Sequence, residues 1–336
     1  MPTVLSMMSP PPSAAPVVQY LTVEEAGDGQ RLDNFLLRHL KGAPKTLVYR
    51  VIRSGEVRVN KGRAQADTRL RQGDSVRVPP LQLKPAATTP SSAPAREFPV
   101  LFEDDWLVAI NKPAGVAVHG GSGVSSGVIE QLRRARPQAR FLELVHRLDR
   151  ETSGVLLLAK KRSALTHLQD QFRARGAEKS VGKTYAALVV GEWPASLKVI
   201  DVPLHKYLTA EGERRVRQAS AEDEQAGLAK RAITLVSVAQ RLQGFTLLDV
   251  TIKTGRTHQI RVHLAQAGYP IAGDDKYGNF DMNRRLARGE GLPARLTRMF
   301  LHARRLRFSH PDTGQTVEIA APWPKECEDI ATAPGR

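Results

Sequence analysis

The chain has 336 residues, of which 41% are hydrophobic and 25% charged, a composition that leaves room for about two globular domains and excludes collagen, a coiled coil and wholesale disorder. Its 50 Lys and Arg against 34 Asp and Glu give a net charge of +16, which favours a polyanionic partner such as nucleic acid or an anionic membrane surface. With Cys327 as the single cysteine, an internal disulfide and a cysteine-rich zinc site are excluded.

Two segments are expected to lie outside folded domains. Residues 1–19 are rich in Pro, Ser, Ala and Met without any period, which predicts a disordered tail. This leader has no basic start, and no apolar run reaches the roughly 18 to 20 residues of a membrane span, so we expect a cytoplasmic protein without a membrane partner. Residues 81–97 read as a linker. The predicted domains are therefore 20–80 and 98–328.

The small domain is predicted to combine two short helices with strands. Apolar residues recur at helical spacing from Asp28 or Gly29 to Leu40, and again from Leu47 to Ile52. Alternation in 56–59 and 74–78, with a turn at 60–62, predicts two strands.

Basic residues cluster where the second helix meets the first strand: Arg50, Arg53, Arg58, Lys61 and Arg63. The cluster fits an RNA-binding surface, and it also fits a merely solvated basic face. The string RLDNFLLRHL…VYRVIRSGEVRVNKGR…LRQGDSVRVP resembles the S4 RNA-binding domain over nearly all of 29–79. The resemblance favours RNA binding.

The large domain alternates short apolar runs with helical patterns. The runs predict strands at 106–110, 142–145, 155–159, 185–190 and 245–252, and the helical patterns cover 128–135, 164–173 and 257–267. This indicates an α+β domain with a mixed or antiparallel sheet. Neither GxGxxG nor a Walker loop is present, so we expect no nucleotide cofactor.

A single acid, Asp149, stands in the loop HRLDRETSG between two of these apolar runs. Its carboxylate could simply close a turn by bonding to the backbone near Thr152 or Ser153. Arg147 and Arg150 flank it, however, and neighbouring cations keep a carboxylate ionised. An ionised carboxylate can act as a nucleophile.

Two further segments could carry chemistry. In TGRTHQIRVHL, a helix from Thr257 would place His258 and Arg261 on one face, although an ordinary amphipathic helix fits as well. In NKPAG, at 111–115, a stiff turn follows a strand, and the HGGSG run at 119–123 fits a flexible loop. The histidines match no standard metal signature, so we predict no metal.

In chain order, NKPAG, HRLDRETSG, KTYAALV and TGRTHQIRVHL resemble the pseudouridine synthases of the RluA family, from about Phe98 to Pro322. Within that family the chain looks most like the bacterial large-subunit enzymes that carry an N-terminal S4 domain. The resemblance implies an α+β protein: a small S4-like RNA-binding domain, then a larger catalytic domain with a mixed, mainly antiparallel sheet. It also implies conversion of specific uridines of 23S ribosomal RNA to pseudouridine without a cofactor. We expect a monomer.

The resemblance also implies roles for individual residues. Asp149 would be the catalytic aspartate, Arg261 its ion-pair partner and Tyr185 the aromatic that stacks on the target base. Arg147 would fill the space that a flipped base vacates, and Lys112 and His119 would contact phosphates. Asp149 could attack C1′ or take the C2′ proton, and the sequence leaves both routes open.

Two other functions compete with this one. A non-catalytic S4-type protein could bind ribosomal RNA or assist ribosome assembly, and a metal-dependent phosphodiesterase could use the histidines. The sequence also leaves open the target uridines, the assembly state of the substrate RNA, and whether 210–226, expected to be a hairpin or loop insertion, touches RNA.

Overall fold

The structure is a computed structural model that describes residues 17–40, 42–81, 94–120, 126–174, 181–209 and 213–335. Backbone contacts divide the chain into two units, Met1–Ser91 and Ser92–Arg336. Most of the predicted tail and linker, at 1–16 and 82–93, lies outside the described residues. The first strand begins at Gln19, the last residue of the predicted tail.

The first unit has two helices against a small antiparallel sheet. The helices α1 (Leu32–His39) and α2 (Lys45–Arg53) confirm the two predicted ones. The described sheet has the order β1-β4-β2-β3 and consists of β1 (Gln19–Thr22), β2 (Arg58–Val59), β3 (Gly62–Arg63) and β4 (Ser75–Val78). A 3-10 turn at Glu25–Gly27 precedes α1. Phe35, Leu36, Val48 and Val51 are buried between the helices and the sheet, because the apolar positions of both helices face inward.

The second unit is built on a sheet of ten described strands, ordered β10-β13-β14-β9-β15-β8-β6-β5, with β16 beside β15 and β7 beside β8. The strands of this unit are β5 (Val100–Glu103), β6 (Leu107–Lys112), β7 (Glu143–Leu144), β8 (Ser153–Ala159), β9 (Gly182–Val190), β10 (Val199–Asp201), β11 (Leu204–Leu208), β12 (Arg214–Gln218), β13 (Ile233–Leu242), β14 (Phe245–Ile252), β15 (Leu301–Ser309) and β16 (Thr316–Ala320). Among the paired strands described, β8 and β15 run parallel and the other pairs antiparallel. The predicted α+β class with a mixed, mainly antiparallel sheet is confirmed.

The helices of this unit are α3 (Val128–Ala135), α4 (Arg162–Arg173), α5 (Ala221–Gln225), α6 (Gln259–Gln266), α7 (Phe280–Ala287) and α8 (Lys325–Ala331). The predicted helix at 128–135 has the observed bounds. The helix expected from Thr257 begins two residues later, at Gln259, because His258 takes a left-handed conformation with φ of 52°. The last helix reaches Ala331, three residues beyond the predicted end of the domain, because Ile330 is buried in the core.

The strand that follows Asp149, β8, lies inside the sheet between β15 and β6. All seven residues of β8 are buried, and alternate side chains enter two core clusters: Leu156 and Leu158 in one, Val155 and Leu157 in the other. Gly154, with φ of +112°, allows the close approach of β8 to β15, since a Cβ there would lie 2.2 Å from the carbonyl oxygen of Ala303. The loop before β8 is thus attached to the most buried strand of the sheet.

The segment 210–226 belongs in part to a hairpin, as expected. Strands β11 and β12 pair from Leu204 with Gln218 to Leu208 with Arg214, and α5 follows. Residues 210–212 lie outside the described chain. In the described ranges, no helix has both the length and the apolar character needed to cross a membrane.

Candidate active site

Asp149 lies in the loop between β7 and β8, where its side chain is half-buried. The amide of Thr152 donates to the backbone carbonyl of Asp149 at 3.1 Å, so the main chain itself closes the turn. Among the described residues, no hydrogen bond or ion pair involves the Asp149 carboxylate. The carboxylate is therefore not the turn-closing group that the sequence left as an alternative.

Hydrogen bonds from the NKPAG segment hold the loop of Asp149 in place. The amide of Gly115 and the ammonium of Lys112 both donate to the carbonyl oxygen of Arg150, at 2.9 Å and 3.0 Å. Lys112 also donates to the carbonyl oxygens of Pro113 and Val116, each at 2.8 Å. Its exposed fraction is 0%, and burial lowers its pKa to about 7. The predicted phosphate contact of Lys112 is wrong, because the ammonium is enclosed by main-chain acceptors.

Asp149 opens into a pocket of about 580 Å³. Its described lining comes from the loop before β8, the end of α4, strand β9, the stretch from the end of β14 to the start of α6, and the first residue of β15. Asp149 is the only carboxylate among these residues, and the cations among them are Arg147, Arg173, Lys183, Lys253, Arg256 and Arg261. The pocket therefore combines one acid with an electropositive wall, which suits a polyanionic substrate.

Tyr185 extends from β9 into the same pocket, and its exposed fraction is 9%. Burial raises the pKa of its phenol, and the charge of Asp149 raises it further. The hydroxyl is therefore neutral at physiological pH. The ring supplies an apolar face in the pocket of the carboxylate.

Arg261, on α6, is buried. Its ion-pair partners are Asp274 and Asp275, whereas the predicted partner was Asp149. Its Nε donates to Asp274 at 2.7 Å, and one terminal nitrogen donates to Asp274 at 2.6 Å and to Asp275 at 3.0 Å. No ion pair with Asp149 within 4.0 Å occurs among the described residues. The observed contacts thus differ from the predicted pair, because the fork of the guanidinium is occupied by Asp274. Burial acts to lower the pKa of Arg261, yet hydrogen bonds and charges of its acids, Asp149 included, raise it overall.

The contacts of Arg261 extend to His258 through a turn after α6. Asp274 also accepts the amides of Lys276 and Tyr277, at 2.8 Å and 3.0 Å. The Tyr277 hydroxyl is 2.9 Å from Nδ1 of His258, which lines the pocket. Burial lowers the pKa of His258 and outweighs the opposing charge of Asp149, so its ring is neutral at physiological pH. Sequence reasoning missed Asp274 and Tyr277, since no local pattern links them to α6.

The remaining predicted contacts are distributed as follows. Arg147 is exposed and lines the pocket beside Asp149. His119 is exposed and is not among the described lining residues of the pocket. Residues 121–125, which include the last three residues of the HGGSG run, lie outside the described chain. The phosphate contact of His119 stays a prediction.

The basic cluster of the first unit is available to a ligand. Arg50, Arg53 and Lys61 are exposed and Arg58 is half-buried, and none of the four has an ion pair among the described residues. Arg53 and Arg63 line one shallow depression with Tyr49. Four cations that have no ion pair among the described residues of this unit fit a polyanion.

In the parts of the chain that the structure describes, no group of three or more His, Cys, Asp or Glu residues could bind a metal ion. The prediction that no metal takes part stays a prediction.

Comparison with known proteins gives matches over both units. A family model described as RNA pseudouridylate synthase matches residues 106–266, and the S4 domain matches residues 30–76. The chain is 50% identical over 312 residues to ribosomal large subunit pseudouridine synthase C of Yersinia pestis, covering 91% of this chain and 92% of the relative. It is 48% identical over 308 residues to the protein of that name from Escherichia coli K12, covering 90% and 91%.

A solved structure is also similar. Human RNA pseudouridylate synthase domain containing 4 aligns with a TM-score of 0.51 and 28% identity, over 68% of this chain and 89% of that one. Together these similarities confirm the resemblance that the motifs indicated.

Proposed function

The chain belongs to the RNA pseudouridylate synthases, a family of RNA-isomerising enzymes, and from this premise we propose that it converts specific uridines of 23S ribosomal RNA to pseudouridine with Asp149 as the catalytic group. The named substrate of the relatives, the ribosomal large subunit, supports this substrate class. The basic residues of the S4 domain, which have no ion pair in the described part of the chain, support RNA binding. We expect the enzyme to act in the cytoplasm as a monomer.

The observation that carries the proposal is the Asp149 carboxylate, the single acid among the described residues of a basic pocket. Pseudouridine formation breaks the bond from N1 to C1′ and joins C5 to C1′. C5 releases its proton to solvent and N1 takes one up, so substrate and product are isomers. An ionised carboxylate can start this by attacking C1′ or by taking the C2′ proton. Both routes need the carboxylate form of Asp149, and cations line the pocket around it.

Tyr185 and Arg261 support the carboxylate in different ways. The neutral ring of Tyr185 offers the detached base a surface on which to turn. Arg261 contributes positive charge to the pocket while Asp274 holds its guanidinium in place. We infer that Arg261 acts on Asp149 through the field in the pocket rather than through a direct ion pair.

The target base has to leave its stack to reach Asp149, at a cost of a few kcal/mol. A pocket of about 580 Å³ is large enough for a flipped nucleotide. Arg147, exposed and two residues before Asp149, is positioned to fill the vacated stack with its planar guanidinium. A purely RNA-binding role is not favoured, because binding alone does not need an unpaired acid in a basic pocket.

Tritium release tests the proposal directly. Purified enzyme is incubated with a 23S ribosomal RNA transcript that carries tritium at C5 of uridine, and release into water is followed. We expect release by the wild type and none by Asp149→Asn, whose RNA affinity stays within about tenfold because the side chain keeps its shape. Release by Asp149→Asn at the wild-type rate would overturn the role of Asp149.

A further inference from the structure

Lys183 is a cation of the pocket that no described acid neutralises. It precedes Tyr185 by two positions on β9, so both side chains leave the same face of the strand, and both line the pocket. Its ammonium lies 5.5 Å from the ring centre of Phe172, a neighbour that orients a cation without neutralising it. Among the described residues, no hydrogen bond or ion pair involves the Lys183 side chain.

The surroundings of Lys183 destabilise the charged form of its side chain. Burial lowers its pKa, and the charge of Lys253 lowers it further. Lys253 follows the end of β14, which pairs with β9, and its exposed side chain also lines the pocket without a described partner. Two neighbouring cations, one of them partly desolvated, are stabilised when an anion binds between them.

Lys183 and Tyr185 occupy different parts of the pocket wall. Lys183 lies beside Phe172 at the end of α4, and Tyr185 follows two residues later on β9. Side chains two residues apart on a strand are separated by roughly 6.5 to 7 Å, so the two residues meet different parts of a bound nucleotide. When a nucleotide places its sugar at Asp149 and its base at Tyr185, the group left to meet Lys183 is a backbone phosphate.

We propose that Lys183 and Lys253 bind a backbone phosphate next to the target uridine and so position the nucleotide in the pocket. This inference rests on the proposed function and deepens it. Lys183 is a positioning residue for the flipped nucleotide, and Asp149 remains the catalytic group. Its removal should weaken substrate binding and leave the maximal rate nearly intact.

The test compares the full-length wild type with Lys183→Met, Lys183→Arg and Lys198→Met on the 23S ribosomal RNA transcript. Lys198 is exposed and lies outside the pocket lining, so its replacement controls for the loss of one positive charge. Equilibrium binding is measured from low to high salt, and single-turnover rates are measured against enzyme concentration. Thermal melting checks that each variant is folded, and Lys183→Gln replaces Lys183→Met if the latter is not.

We expect Lys183→Met to bind about tenfold more weakly at low salt, since it loses a charged hydrogen bond. The slope of log K against log salt should become shallower by about 0.7 to 0.9, as for one lost phosphate contact. Its maximal single-turnover rate should stay within about threefold of the wild type. Lys183→Arg should keep the wild-type slope, and Lys198→Met should change neither slope nor rate.

Three results would overturn the proposal: an unchanged salt slope in Lys183→Met, an equal change in Lys198→Met, or a large loss of maximal rate with normal affinity. The last would mean that Lys183 takes part in the chemistry. Failure of the proposed function is distinguishable, because it would appear as an inactive wild type. Even with an inactive wild type, the salt dependence of RNA binding by Lys183→Met would show whether Lys183 contacts a phosphate.

Discussion

At the residue scale, Tyr185 would act in the proposed active site as an aromatic surface rather than as an acid or base. Burial and the Asp149 charge raise its phenol pKa, so the hydroxyl cannot ionise at physiological pH. We therefore expect Tyr185→Phe to keep single-turnover rates within about threefold of the wild type. Tyr185→Leu, which loses the stacking surface, should be slower by roughly 5- to 150-fold, as stacking is worth about 1 to 3 kcal/mol per base. Equal losses in both variants would show that the hydroxyl is needed.

Because Lys112 is buried, we expect the free energy of unfolding to depend on its protonation and therefore on pH. Its pKa is about 7 in the folded chain because of burial, and about 10.4 in an unfolded chain. Between these values the unfolded state binds more protons, so the contribution of Lys112 makes the protein more stable as pH rises. Lys112→Met lacks this contribution and leaves three carbonyl oxygens without their donor.

Chemical denaturation at pH 7, 8, 9 and 10 measures this effect. The free energy of unfolding of the wild type minus that of Lys112→Met should increase across the series, and replacement of the exposed Lys198 by Met should not change the pH dependence. A difference that is constant with pH would contradict a deprotonating, buried Lys112.

At the scale of elements, the pair of Arg261 and Asp274 joins α6 to the turn that carries Tyr277. Asp274 is 0% exposed, and although burial acts to raise its pKa, hydrogen bonds from Arg261 and the turn amides lower it overall. Arg261→Met leaves this carboxylate buried without its counter-charge, which should cost roughly 3 to 5 kcal/mol of stability. The exposed pair of Arg284 and Asp281 is the matched control, and Arg284→Met should cost about 0 to 1 kcal/mol.

The pH dependence of Arg261→Met has a definite sign. A lowered carboxyl pKa stabilises the fold above the unfolded pKa of about 3.9, and this contribution is lost as pH falls through the folded value. The deficit of Arg261→Met against the wild type should therefore be largest at neutral pH and shrink below about pH 4. A deficit below about 1 kcal/mol at pH 7 would contradict the bridging role of Arg261.

How far the sequence predicts these elements depends on how local their signals are. The apolar periods of α3 and β14 are local, and their predicted bounds are the observed ones. Strand β15 was missed because the other strands of this unit were predicted from continuous apolar runs, and β15 instead alternates its buried Leu306 and Phe308 with arginine. That alternation is itself a local strand signal and could have revealed it. The left-handed His258 shortened α6 through a turn that helical periodicity does not reveal.

For the site residues, too, the sequence predicts only what depends on local signals. Asp149 stands in a distinctive motif, and Lys183 could have been placed beside Tyr185 from the period of a strand. The burial of Lys112 could not be read locally, because lysine is rarely enclosed unless a fold supplies acceptors from distant segments. The partnership of Arg261 with Asp274 likewise depends on how a distant turn packs against α6.

At the scale of the whole molecule, the charge of +16 predicts salt-dependent RNA binding to which the S4 domain contributes. In the full-length chain, replacing Arg50, Arg53 and Lys61 together by Gln should make the slope of log K against log salt shallower by up to about 2.7, about 0.9 per lost phosphate contact. Replacing Arg284 and Arg285 of α7 together with Arg288, which directly follows α7, changes net charge equally. These arginines already pair with acids, so the slope should change much less. Equal slopes for the two triple variants would contradict the prediction that the S4 domain contacts RNA.

Mapping of pseudouridines in 23S ribosomal RNA tests the central claim most directly. RNA is compared from cells that lack this chain, cells that carry the wild type and cells that carry Asp149→Asn at equal protein levels. We predict that particular uridines are pseudouridine only with the wild type, because Asp149→Asn binds RNA but has no nucleophile or base. If those positions are modified equally with Asp149→Asn, or if no 23S position depends on the chain, the account of Asp149-dependent modification of this RNA is contradicted.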